Sequence, residues 1–256
     1  MKWIKWLFIS ALSVFLLAFG VLLLLQTRWT KEQLSQIIQE IALQSGVQLT
    51  IENIEGQLPL KWSLSNVHAT FLEGDTVDID QVQIRIAVLP LLRGHFGISY
   101  LHADHTTVAI SPTFKFSTKQ EQLKGSFSIR SAIFDEIKLI NRATQEEKLF
   151  HFKGGGGYSR GGDAFFFEAD LRSSDIYLTL FCEKSKRLDH FQTSLDLSVL
   201  SSHAFEPFYK LPAEMSFDLK AHSEGPWSSL YGKGSHPIDG VIELNVRKPE
   251  TFQFAS

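Results

Sequence analysis

Nine histidines are spread along the 256-residue chain, and only His102-Ala103-Asp104-His105 groups two of them with an acid. On a helix, residues three apart share a face, and such a pair can hold a divalent ion. In a strand, positions 102 and 105 point to opposite faces. The flanking residues read as strand and no further ligand follows, so no metal is expected. Gly154 to Gly162 is the one low-complexity segment. Glycines cradle phosphate when they open a helix after a strand. Here Asp163 to Phe167 read as a strand and no Lys-Ser/Thr follows, so 154–162 is expected to be a flexible hairpin loop, one that could join two parts of a β domain. Cys182 is the only cysteine. It excludes an internal disulfide and continues an alternating apolar row, which makes it a small buried residue and not a nucleophile. Asp75, Asp78 and Asp80 lie around turns and polar faces and read as solvated carboxylates. There is no Gly-x-Ser-x-Gly, His-Glu-x-x-His, Walker loop or dinucleotide fingerprint. The chain is expected to be no enzyme and to carry no cofactor.

The elements around these residues begin with Trp6 to Leu25, 20 residues without a charge. A helix of that length is about 30 Å long, enough to cross the hydrocarbon core of a bilayer. Trp3, Trp6 and Trp29 flank it at headgroup level. The apolar run continues past the small residues Ala18 and Gly20, which favours an uncleaved anchor over a signal peptide. Residues 1–5 are then a short cytoplasmic terminus, 6–25 a single transmembrane helix with Trp6 and Leu25 at its ends, and the inner bilayer a partner. Residues 1–28 hold three basic residues and no acid, so the remainder carries a net charge of −6. No basic run exists, which excludes a nucleic-acid surface and a polybasic headgroup patch.

An amphipathic helix is expected over 30–45. Thr30 and Gln33 make a capping box, Leu34, Ile37, Ile38 and Ile41 share a face, and Gly46 stops it. The polar face is not basic, so the helix is expected to pack on the domain. After Gly46 the period changes to 2, over 47–256. Ile84, Ile86 and Val88 alternate with polar residues, as do Leu195, Leu197 and Val199, and Ile242, Leu244 and Val246. Strict alternation means sheet with one apolar and one polar face. Roughly 14 strands side by side would span on the order of 65 Å at about 4.8 Å each. The chain is mainly β, and three outcomes satisfy the pattern: a closed barrel, a two-sheet sandwich, or a long curved sheet whose apolar face lines an open groove.

Residues 54–110 combine an Ile-x-Gly-x-Leu turn, a Leu-x-Leu-x-x-Val strand, an acidic turn, an alternating strand, Pro90-Leu91-Leu92-Arg93-Gly94 and a final Val-x-Ile strand. With the N-terminal anchor and Gly46, this layout resembles the start of the TamB proteins of the AsmA-like superfamily. The resemblance covers about residues 1–110. It implies a Gram-negative inner-membrane protein, single-pass, with the bulk of the chain in the periplasm. It also implies a long antiparallel sheet folded into a hydrophobic groove, the β-taco. Such proteins are linked to phospholipid movement between the two membranes, to outer-membrane protein assembly and secretion, and to an outer-membrane barrel partner. Family chains are far longer and bind that partner through their C-terminal region, so the present residues are expected to match the N-terminal portion.

On this reading Ile84, Ile86, Val88, Ile98, Val108 and Ile110 are the expected groove residues, in contact with phospholipid acyl chains. The alternative is a β-scaffold that binds unfolded outer-membrane substrates by strand addition.

Overall fold

The structure, a computed structural model, describes residues 27–44, 46–57, 60–71, 74–88, 90, 94–111, 126–159, 164–185, 187–201, 216–231 and 238–247. The expected transmembrane helix, with Trp6 and Leu25, lies outside the described residues. Among the described residues no helix is long and apolar enough to cross a membrane.

Helix α1 (Arg28–Gln44) opens two residues before the expected start. Its cap is Thr27 and not Thr30: Thr30 N donates to Thr27 Oγ1 at 3.4 Å, and Lys31 N donates to the Thr27 carbonyl at 3.2 Å. Either hydroxyl could cap, and the earlier one does. Ile38 packs against the buried cluster of Ile51, Ile54, Leu64, Val82 and Ala103, so the helix packs on the sheet.

Eleven strands follow: β1 (Val47–Gln57), β2 (Lys61–Phe71), β3 (Thr76–Ile86), β4 (Phe96–Ile110), β5 (Phe127–Asn141), β6 (Glu147–Tyr158), β7 (Ala164–Arg172), β8 (Ile176–Ser185), β9 (His190–Val199), β10 (Ser216–Gly225) and β11 (Asp239–Arg247). They form one sheet in sequence order. The sheet is not closed: among the described residues β1 pairs only with β2 and β11 only with β10. It is neither the closed barrel nor the two-sheet sandwich. Nor is it antiparallel throughout: β4 and β5 run parallel, joined by the segment 111–126.

Gly154 to Gly157 are not in a loop: they lie inside β6, paired with β5 on one side and β7 on the other, and β6 runs to Tyr158, while Gly161 and Gly162 lie outside the described residues. A Cβ on Gly155 would come 2.9 Å from the Arg130 carbonyl oxygen, and one on Gly157 2.8 Å from that of Phe127. These glycines let neighbouring backbones approach more closely than a side chain allows.

Strict alternation also breaks, in the same place on five strands. Residues of the apolar face step by three at Ile51–Ile54, Leu64–Val67, Ile79–Val82, Ala103–Thr106 and Phe134–Ile137, with Thr106 the one polar member. The residues skipped by the pairing, Glu52, Asn66, Asp80, His105 and Asp135–Glu136, form a transverse line. Asn66 and His105 there have φ of 50° and 41°, rare for non-glycine residues. The extra residue restores the apolar side chains to one face, as a β-bulge does. Because neighbouring strands carry the same step, β1 to β4 keep their register across it.

Candidate functional site

The register aligns one unbroken apolar row across the whole sheet. Ile54 lies opposite Leu64, which lies opposite Val82, then Ala103, Phe134, Phe152, Leu171, Leu178, Leu197, Leu219 and Leu244, one residue from each strand. Ten inter-strand steps at about 4.8 Å make this row about 48 Å long. A second row runs beside it: Ile84, Leu101, Ala132, Gly154, Ala169, Leu180, Leu195, Ala221 and Ile242.

Exposure rises along the row. Ile54, Leu64, Val82 and Ala103 are buried, the members on β5 to β10 are half-buried, and Leu244 is 63% exposed. The β1–β4 end is thus a packed core beneath α1, and the face opens toward β11. A second buried cluster, Phe150, Ile176 and Val199, closes one rim of the later strands. Aromatic rings line the other rim. Phe96, Phe127, Tyr158 and Phe165 lie opposite one another on β4 to β7, with Phe96 and Phe127 stacked at 5.8 Å. Lys184 continues the row on β8, its Nζ 3.9 Å from the centroid of the Trp227 ring, and the buried Phe191 lies opposite it on β9.

Between these rims, over the glycine run, is a cavity of about 360 Å³. Its walls include Leu101, Ile129, Phe134, Phe152, Tyr158 and Phe167. Gly156 makes its floor low, because no side chain rises from β6 there.

The six expected residues distribute unevenly. Ile86 is buried at 9% exposure, opposite Ile98, and packs as core. Ile84 is half-buried in the second row, opposite Leu101. Val108 lies half-buried between Val77 and Leu139, and Ile110 stands at the strand end opposite Asn141. Val88 does not continue the alternation: β3 ends at Ile86, and Val88 sits 47% exposed in a helical residue beyond it. It meets Ile98 only across a separate cavity of about 980 Å³. The most open apolar positions, on β7 to β11, were not among the six. Their alternation is plain in the sequence, but they lie outside residues 54–110, on which the resemblance rests.

The other face is charged. Asp196 lies 3.6 Å from Lys220, and Asp218 3.8 Å from Arg247. The hydrogen bond from Arg172 to Asp170 holds that carboxyl below its usual range. His102 and His105 do not point to opposite faces. The three-residue step at Ala103–Thr106 leaves both on the polar side, where His105 pairs with Asp80 at 3.9 Å. His102 Nε2 lies 2.6 Å from Asp135 and 3.4 Å from Asp104, a compact trio of possible ligands. His68 pairs with Asp78. Asp75, expected to be solvated, is 2% exposed: its Oδ1 accepts from Ser111 N at 2.7 Å and ties the β2–β3 turn to the end of β4. Cys182 is half-buried on the apolar face opposite Phe167, and burial pushes its thiol pKa up.

No protein-family model matches the chain, and a search of curated proteins gives no match.

Proposed function

We propose that this chain is a membrane-anchored lipid conduit of the TamB type, whose apolar face holds phospholipid acyl chains along a groove. The observation that carries this reading is the row from Ile54 to Leu244, apolar on every strand of an open sheet and increasingly exposed toward β11. An open sheet with an exposed apolar face is unfavourable in water unless something covers it. An acyl chain suits the task. Each methylene withdrawn from water contributes about 0.8 kcal/mol, so a chain is held on the row by the apolar surface it covers. A continuous row also lets it slide from strand to strand without crossing water. The low floor over Gly156 provides depth in mid-sheet, and the charged opposite face keeps the sheet soluble. On this reading the apolar run Trp6 to Leu25 is the anchor at an inner membrane, with the sheet in the periplasm and an outer-membrane barrel as partner.

The reading is tested by lipid transfer from donor vesicles containing the chain to acceptor vesicles. Leu197→Glu puts a carboxylate in the middle of the row and is expected to reduce transfer at least tenfold with unchanged far-UV circular dichroism. Unchanged transfer in a folded variant overturns the proposal.

A second reading rests on β11. Its apolar residues Val241, Ile242, Leu244 and Val246 are exposed, and one edge of the strand has no described partner. Such an edge can accept a strand from an unfolded outer-membrane substrate. That reading requires a proline in β11 to impair substrate binding more than Leu197→Glu does.

A further inference from the structure

The sheet's other edge carries a different kind of cavity. It measures about 780 Å³ and lies between one stripe of α1, from Lys31 to Gln39, and five consecutive residues of β1, Ile51 to Glu55. Consecutive residues of a strand point to alternate faces. A cavity touching all five therefore runs along the strand's edge and not over one face. Among the described residues β1 pairs only with β2, so its outer edge presents backbone donors and acceptors that no strand satisfies.

The two walls match in length. Eight helical steps from Lys31 to Gln39 rise about 12 Å, and four strand steps from Ile51 to Glu55 cover about 13 Å. An extended segment of four residues fits that length. The helix is held in place by Ile38, which packs on the buried cluster beside the cleft, where Ile51 and Ile54 form part of both. The stripe facing the cleft is polar, with Ser35, Gln36 and Gln39, which suits a peptide and not an acyl chain. Its charge is acidic on balance, with Lys31 on the helix wall and both Glu52 and Glu55 on the strand wall.

We propose that this cleft binds an extended peptide segment bearing a basic side chain, which adds a strand to the free edge of β1 beneath α1. Main-chain hydrogen bonds to β1 supply the affinity, and the acidic surplus selects the basic side chain. The site meets the apolar row only at its buried first member, Ile54, and does not depend on lipid binding along the open strands.

The test uses the full chain in nanodiscs and a fluorescein-labelled peptide, Thr-Val-Thr-Lys-Thr-Val-Thr, followed by anisotropy against empty nanodiscs. Saturable binding is expected. Methylating alternate backbone nitrogens of the peptide is expected to weaken it at least tenfold. Gln36→Trp, at an exposed position of α1, fills the cleft and is expected to do the same. Glu55→Lys is expected to weaken binding several-fold and to favour the peptide whose lysine is replaced by glutamate, a reversal that misfolding does not produce. Absence of saturable binding overturns the proposal, as does binding indifferent to N-methylation or to Gln36→Trp. Self-association of the chain that Gln36→Trp abolishes assigns the cleft to a second copy and likewise overturns it.

Discussion

A Cβ placed on Gly154 would lie 2.5 Å from the carbonyl oxygen of Glu168 on the next strand. It would also come 2.8 Å from the Phe152 ring. The first contact is with backbone, which cannot swing away, so the sheet must shift to admit any side chain. Gly154→Ala is therefore expected to destabilise the fold by about 1–3 kcal/mol, read as a lowered denaturant midpoint. An unchanged midpoint contradicts the close approach of β6 and β7.

Lys148 Nζ and Asp175 Oδ2 form a largely buried ion pair at 2.5 Å, beside the turn from β7 to β8. Burial raises the Asp175 pKa, but hydrogen bonds from Lys148, Ser174 and Ser173 outweigh it and leave the value lowered. A lowered carboxylate pKa contributes stability above the unfolded value of about 3.9. That stability is lost as pH falls through the folded value. Asp175→Asn is thus expected to be less stable than the parent at pH 7 and to converge with it below about pH 4. Urea titrations at the two pH values check this, and a constant gap contradicts it.

Lys148→Met leaves the Asp175 carboxylate without its cation. Removing one member of a buried pair costs more than the pair contributes. The variant is expected to lose about 1–3 kcal/mol, and Lys148→Met with Asp175→Asn to recover part of it. A double variant as unstable as the sum of the two singles contradicts the coupling.

Cys182 gives a chemical probe of the apolar face. Burial raises its thiol pKa, and the thiolate is the reacting species. Alkylation by iodoacetamide at pH 8 is expected to be slower than that of glutathione, and slower still when phospholipid is present. A rate equal to that of glutathione contradicts this placement.

Much of the sheet was legible because period 2 survives in single strands. Leu195, Leu197 and Val199 or Ile242, Leu244 and Val246 can be read directly as one face. The aligned three-residue steps were not legible. A step such as Ile79 to Val82 looks like an end of strand until its neighbours carry the same one. Gly154 to Gly157 misled for a related reason. Glycine usually marks turns, and its role here, close approach of Arg130 and Glu168, depends on residues distant in sequence. Asp75 was misread because the amide that binds it, Ser111 N, is brought there only by the pairing of β3 and β4. The open end of the apolar row depends on which strands lie beneath α1, a property of the whole sheet and not of any one strand.

The central claim is that lipid lies on one face only, and photocrosslinking of the full chain in its membrane tests it most directly. A benzophenone amino acid is placed at adjacent positions on opposite faces: Leu180 against Thr179, and Leu244 against Glu243. The account predicts phospholipid adducts by mass spectrometry at Leu180 and Leu244 and none at their neighbours. Equal adducts on both faces, or none at either leucine, contradict it.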